Sequence, residues 1–160
     1  MLKDLRRGYI GIDPGKAGGI VLLIVRGEQV SEPVMVGFPG DASSAALEIK
    51  KLVSMCDDVL LCAIEQVHAT PVWGRASSFK FGLNYGSLIG VVAALDIPFV
   101  MVTPKKWQSA MLDSGTGETK ERSLNMARRL YPKFDWKKSK DGLADALHIA
   151  RYAMQYDGVK

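Results

Sequence analysis

Membrane-length apolar runs are missing from this 160-residue chain. No window approaches the roughly 20 consecutive apolar residues that a spanning helix needs, so no membrane partner is expected. Cysteine is scarce: Cys56 and Cys62 lie in or beside apolar sequence and have no metal-ligand spacing. They read as buried free thiols of a reducing cytoplasm. Histidine is equally scarce, and His68 and His148 stand too far apart in sequence to indicate a histidine-rich zinc site. Repeats, low-complexity tracts and linkers are absent, and the length suits one domain with a proper core. Residues Met1 to Arg7 carry basic side chains but no apolar core with a cleavage site after it, so a secretory leader is not expected.

Acidic residues are in slight deficit, 17 against 21 Lys and Arg, for a net charge of +4. The excess is local. Ten basic and four acidic residues between Lys105 and Lys140 give that stretch +6, which leaves −2 for the remainder. Such a block suits a polyanion bound through its phosphates, although a solvated lysine-rich helix face has the same composition.

The pattern of elements is mixed α/β. Gly8 to Asp13 is a short apolar strand that ends in the turn Pro14-Gly15-Lys16-Ala17-Gly18-Gly19. Ile20 to Val25 forms a second strand, and Gly27-Glu28 turns the chain into a third that runs to about Phe38. Asp41 to Val53 has the spacing of an amphipathic helix. Val59 to Ile64 is a continuous apolar run, typical of a strand covered on both faces. A polar segment from Gln66 to Ser78 is expected to be mobile. Beyond it come an apolar helix rich in small residues from Leu83 to Leu95, a fifth strand from Ile97 to Val102, and a short helix opened by Thr103-Pro104 that includes Trp107. Further helices span Thr119 to Leu130 and Gly142 to Gln155. This order predicts a mixed five-stranded sheet, three strands antiparallel and the rest parallel, flanked by helices.

Four acids in this frame carry the chemistry. Asp13 ends the first strand, and the glycines after it permit close approach of a phosphate backbone, though an Asp before Pro-Gly also caps turns. Glu65 ends a buried strand, where a lone carboxylate is disfavoured unless it binds something. Asp145 lies among Leu143, Ala144, Ala146 and Leu147 in a helix that must pack on the sheet. Asp141, four residues earlier, shares its face if both are helical, or else serves as the helix N-cap. A divalent cation with oxygen ligands would offset the burial of these acids, and Mg²⁺ is the common partner of phosphate chemistry. Two ions held by Asp13, Glu65 and Asp145, with Asp141 either a fourth ligand or only the N-cap, would bracket a scissile phosphate, one activating water and the other stabilising the leaving oxygen. Lys120 is the candidate cation for the phosphate charge. An ATPase-like fold of the actin type also opens on an Asp-Gly turn, but it needs a second phosphate-binding domain for which 160 residues are too few.

Together these segments resemble the RuvC family of Holliday-junction resolvases, within the RNase H-like superfamily. Gly11-Ile12-Asp13-Pro14-Gly15 is similar to that family's opening motif, and Ala63-Ile64-Glu65-Gln66-Val67 to its second. Ser78 to Gly82 and on to Gly90-Val91 is similar to its central helix, and Thr103-Pro104 to the turn that follows. Gly115-Thr116-Gly117 with Lys120, and Ala144-Asp145-Ala146-Leu147, are similar to the last two motifs. The resemblance runs in order from Gly8 to Tyr152, and the wording around Asp141 is closer to phage-type or organellar relatives.

The resemblance implies a single RNase H-like nuclease domain over residues 1–160. It implies a homodimer that nicks opposite strands of a four-way junction symmetrically, using two Mg²⁺ per site with Mn²⁺ as a substitute and no small-molecule cofactor. A bacterial or phage-infected cytoplasm, or an organelle, is the implied setting. The same residues would also serve a broader branched-DNA, fork or flap endonuclease, or a non-catalytic junction-binding module. Contacts with DNA are expected from Lys16, His68, Trp73, Arg75 and Lys80, and from Lys105, Lys106, Lys120, Arg122, Lys137 and Lys138. Three departures stand out. The family's fourth ligand lies three residues before the last Asp, where this chain has Gly142. Its stacking aromatic lies three after the Glu, where this chain has His68, with Trp73, Phe79 and Phe81 nearby. The basic residue expected after Thr-Pro is shifted, with Gln108 near that place and Lys105 and Lys106 slightly earlier. Phe81 is assigned to the core, Trp73 to the mobile loop and His148 to helix packing. The helix Leu83 to Leu95 is the expected dimer contact.

Overall fold

The computed structural model of the protein describes residues 5–68 and 72–158. Strand β1 (Arg7–Asp13) pairs antiparallel with β2 (Gly19–Arg26), and β2 pairs antiparallel with both β3 (Gln29–Val30) and β4 (Val34–Gly37). Helix α1 (Ala42–Val53) then leads to β5 (Asp58–Glu65), and α2 (Arg75–Ala94) leads to β6 (Phe99–Val102). Both connections are crossovers, so β5 lies parallel to β1 and β6 parallel to β5. Helices α3 (Pro104–Met111), α4 (Thr119–Leu130) and α5 (Asp141–Tyr156) complete the chain, with a 3-10 turn at Lys138–Lys140 before α5.

The sheet has the expected mixed character but six strands, ordered β3-β2-β1-β5-β6 with β4 also on β2. The expected third strand is broken at Ser31 to Pro33. There Ser31 Oγ takes the ladder hydrogen bond of Ile24 N–H at 3.1 Å, and Pro33 has no N–H to offer. Helix α2 begins at Arg75 rather than Leu83, so Arg75 to Ser78 of the segment expected to be mobile are helical. Residues 69–71 of that segment, like 1–4 of the N-terminal stretch, lie outside the described residues. Phe81 is half-buried against Trp73 and Tyr85 rather than part of the core. Cys62 is buried, Cys56 half-buried, and both are free. Among the described residues no helix is long and apolar enough to cross a membrane.

Side chains alternate across the strands with period two, which sorts them to two faces. Ile10, Ile12, Ile20, Leu22 and Ile64 face α1 and α2, where they meet Ile49, Leu52, Leu88 and Val92. Tyr9, Leu61 and Ala63 face the opposite way, toward α3 and α5. On this second face α5 lies almost against the sheet. A Cβ on Gly11 would stand 2.1 Å from Ala150 N and 2.3 Å from Ala146 O, so only glycine fits. Alanines at 146, 150 and 153 keep the facing side of α5 equally thin.

Candidate active site

That close approach decides where the acids meet. Ile12 is the register partner of Ile64, so Asp13 and Glu65 leave neighbouring parallel strands at the same end of the sheet. Both share the parity of Gly11 and Ala63 and so face α5. From α5, Asp145 lines a cavity of about 250 Å³ together with Asp13, Lys120, Asp141 and the glycine turn at Gly15 to Gly18. Glu65 stands beside these, close enough that Asp13 and Asp145 both raise its pKa.

Burial is the main electrostatic influence. Desolvation raises the Asp13 carboxyl above its ordinary value, with Asp141 adding to the rise and the Gly15 N–H opposing it. The Glu65 carboxyl is pushed up to about 7, first by burial and then by Asp13 and Asp145, against the hydrogen bond from Trp107. Asp145 is pushed up to about 6, again first by burial, while Ser123 opposes and Asp13 and Asp141 reinforce. Lys120 Nζ lies 3.0 Å from Asp141 Oδ2, a contact that raises the lysine's pKa.

Each acid has one oxygen held by a donor. Gly15 N–H reaches Asp13 Oδ1 at 2.9 Å, Trp107 Nε1 reaches Glu65 Oε1 at 2.8 Å, and Ser123 Oγ reaches Asp145 Oδ1 at 2.5 Å. Gly142 N–H reaches Asp141 Oδ1 at 2.9 Å. Among the described residues, none of the opposite oxygens is a buried group without a partner. Lys120 takes the second oxygen of Asp141, so it is Asp13, Glu65 and Asp145, partly desolvated and each with one oxygen oriented, that suit a hard cation such as Mg²⁺ or Mn²⁺. Among the described residues no three His, Cys, Asp or Glu side chains are already gathered as a metal-holding group. The four-acid cluster expected from sequence is therefore laid out more loosely. Three acids ring one cavity and Glu65 stands alongside, with like charges opposing tighter convergence and each donor holding back one oxygen.

Asp141 is not the N-cap of α5. Lys140 holds that place, and Asp141 is the first helical residue, where a carboxylate also complements the helix dipole. The glycine at 142 has a steric reason. A Cβ there would stand 2.0 Å from Ala17 O, so an acid at that position would collide with the β1–β2 turn.

The basic and aromatic candidates fall into separate groups. Lys16 and Lys80 line a groove of about 540 Å³ beside the Asp13 turn, with Phe38, Phe81, Asn84 and Tyr85. Lys120 and Lys138 line a second groove of about 240 Å³ that shares Asp141 with the acid cavity. Lys105 and Lys106 are exposed on the first turn of α3, while Arg75 is exposed at the start of α2 and His68 just past β5. Trp73 packs edge-on to Phe81 with ring centroids 5.0 Å apart. Two cations are turned to other partners: Arg122 donates to the Asp113 carbonyl, and Lys137 pairs with Asp135 at 3.0 Å.

Two residues that touch the acids, Trp107 and Ser123, were not singled out from sequence. Ser123 had a legible signal, because it sits on the buried stripe of α4 with Leu124 and Ala127, where a hydroxyl needs a partner. His148 is buried as expected and hydrogen-bonds the Ser123 carbonyl at 2.9 Å.

The mixed sheet flanked by helices matches the RNase H-like fold of RuvC. The likeness extends to particular solved structures. Thermus thermophilus RuvC in complex with a Holliday junction substrate superimposes with a TM-score of 0.63 at 16% identity, over 96% of this chain and 97% of that one. A structure of Thermus thermophilus RuvC gives 0.62 at 17% identity, over 94% and 96% of the two chains. The yeast mitochondrial Holliday junction resolvase Ydc2 gives 0.50 at 15%, over 92% of this chain and 76% of that one. At these identities the likeness is one of fold. No family model and no curated protein sequence matches the chain.

Proposed function

We propose that this protein is a divalent-metal-dependent endonuclease that resolves four-way DNA junctions by paired nicks. The observation that carries this reading is the placement of Asp13 and Glu65 on adjoining parallel strand ends, facing Asp145, in a fold shared with a RuvC whose complex contains a Holliday junction. Asp13, Glu65 and Asp145 would hold the cations, with Asp141 as the fourth acid. Mg²⁺, when bound, supplies an activated water and stabilises charge on the leaving oxygen. The chain's own residues do the rest. Gly15 N–H, Trp107 and Ser123 fix one oxygen of each acid, and the glycine turn leaves room for a phosphate to approach. Lys120 supplies a positive charge at the cavity rim, and Lys16, Lys80 and Lys138 extend that charge along the flanking grooves.

Paired nicking requires two copies. The solvent side of α2 carries Phe79 and Leu83, 74% and 58% exposed, in line with Gly86, Gly90 and Ala93 on one helical stripe. This stripe is the proposed contact between copies, and Leu83→Asp should shift the protein to monomer in sedimentation velocity.

The test compares an immobile four-way junction, a fork and a linear duplex, each with and without Mg²⁺. Symmetric nicks in the junction alone are expected. Equal cleavage of the fork makes the protein a broader branched-DNA nuclease, and binding without cleavage makes it a junction-binding module. Asp13→Asn and Glu65→Gln should abolish cleavage while junction binding persists.

A further inference from the structure

Glu65 and Asp145 come from a strand and a helix that are distant in sequence, yet one continuous chain of buried side chains joins them. Trp107, fully buried on α3, donates its Nε1–H to Glu65 Oε1 at 2.8 Å. Its indole stacks on the His148 imidazole at 21° between planes, with ring centroids 6.3 Å apart. His148 is also fully buried, and its Nε2 lies 2.9 Å from the carbonyl oxygen of Ser123. Ser123 in turn donates its Oγ–H to Asp145 Oδ1 at 2.5 Å. The path closes on α5, because His148 and Asp145 are one turn apart and grip the same serine by its backbone and its side chain.

The donors and acceptors are matched at every link. A carbonyl oxygen can only accept, so the His148 proton sits on Nε2. Nδ1 is left to accept from Arg151 Nη1 at 3.1 Å, and two partners thus fix one neutral tautomer. The indole has a single donor and the serine hydroxyl a single proton, and each is committed to a carboxylate. If Glu65 or Asp145 swung away, the indole N–H or the serine hydroxyl of a fully buried residue would lose its partner. Nothing in ordinary core packing calls for these polar groups at this depth.

We infer that Trp107, His148 and Ser123 are positioning residues that set the separation and orientation of the Glu65 and Asp145 carboxylates for a divalent cation. The inference rests on the reading of those two acids as metal ligands. Each tie fixes one oxygen and leaves the other open, so the network presents a two-oxygen jaw whose spacing is set by core packing. Its three side chains are fully buried, out of reach of DNA.

The experiment measures Mn²⁺ affinity by electron paramagnetic resonance titration of the full chain without DNA, alongside junction binding in EDTA and cleavage over a Mn²⁺ series. Ser123→Ala and Trp107→Phe should each weaken Mn²⁺ binding by about tenfold, as loss of a ligand's hydrogen-bond partner does elsewhere. Junction affinity in EDTA should stay unchanged, and most cleavage should return at saturating Mn²⁺. Ser123→Thr, which keeps the hydroxyl, should restore the affinity, and His148→Gln, which keeps an N–H, should weaken it less than His148→Leu. Circular dichroism melts verify folding, and Ser123→Ala, the smallest change, keeps the test decisive if Trp107→Phe unfolds. Wild-type Mn²⁺ affinity in folded Ser123→Ala and Trp107→Phe overturns the positioning role. Asp13→Asn and Glu65→Gln separate the two levels. If they lose Mn²⁺ while the positioning variants keep it, the ligand assignment stands and the relay falls. If they too keep Mn²⁺ and cleave, the metal-site reading itself fails.

Discussion

Aliphatic side chains fill the space between the sheet and helices α1 and α2, whereas on the opposite face glycine and alanine bring α5 and the sheet nearly backbone to backbone. The buried polar residues among those described, Asp13, Ser123 and His148, all belong to the second face. The first face derives its stability from volume, and such contacts tolerate small changes of shape. The second derives its geometry from close approach and matched hydrogen bonds, which tolerate few. The acids of the proposed metal site lie on this tighter face, where a displaced carboxylate would lose its cation long before the fold failed.

Substitutions that change one group on each face probe this contrast. After Asp13→Asn and Glu65→Gln, the largest effect is expected at Asp145. Asp145→Asn should lower junction cleavage on the order of 10³-fold, about 4 kcal/mol of transition-state stabilisation, in single-turnover assays. Asp141→Asn, at the cavity rim with Lys120, should lower it only about tenfold, and equal losses would make Asp141 a full ligand. Next comes a single added methyl. Gly11→Ala should destabilise by roughly 3 kcal/mol in urea unfolding, since the new Cβ meets the α5 backbone, which cannot move aside. Removing one methylene from the other face, in Ile49→Val, should cost only about 1 kcal/mol. A Gly11→Ala loss no larger than that of Ile49→Val would erase the distinction between the faces.

The smallest effect is a pH dependence confined to the second face. Folding raises the Glu65 and Asp145 values to about 7 and about 6, so the folded, metal-free protein binds more protons than the unfolded chain. That contribution is full below the unfolded carboxyl values and is lost as pH rises through 6 to 7. His148, lowered to about 4 by burial, acts in the opposite direction, mainly below its ordinary value near 6.5, and above it offsets part of the loss. Between pH 6.5 and 8 in EDTA, stability should therefore fall by up to about 1 kcal/mol. Mg²⁺ at pH 8 should restore it, and a flat profile in EDTA would mean that these carboxylates are better solvated than their burial implies.

Much of this was legible in the sequence, for identifiable reasons. Apolar runs ending in Asp13 and Glu65 located two strand ends, and period-two alternation is strong enough to fix which face each acid takes once the strands pair. The parallel register that places those ends side by side was not legible, because it depends on crossovers through α1 and α2. The break at Ser31 to Pro33 escaped because a serine hydroxyl in a ladder position leaves no mark on hydrophobic periodicity. The early start of α2 escaped because Arg75 to Lys80 buries no apolar stripe of its own to mark a helix. Trp107 read simply as an apolar residue, since nothing local to it announces that its one donor is aimed at a carboxylate forty-odd residues earlier. Gly142 looked like a missing ligand until the Ala17 carbonyl explained it.

The pairing of Asp13 with Asp145 also has a meaning in time. One acid lies near the start of the chain and the other near its end, and their cavity exists only once α5 has closed onto β1. During synthesis, domains generally fold as units, and contacts between distant segments form late. A nascent chain still lacking α5 would hold the basic stretch of residues 105–140 but only half of the carboxylate set. If the proposed function holds, such a chain would attract nucleic acid before it could cut it, and the order of synthesis itself would keep an incomplete nuclease harmless.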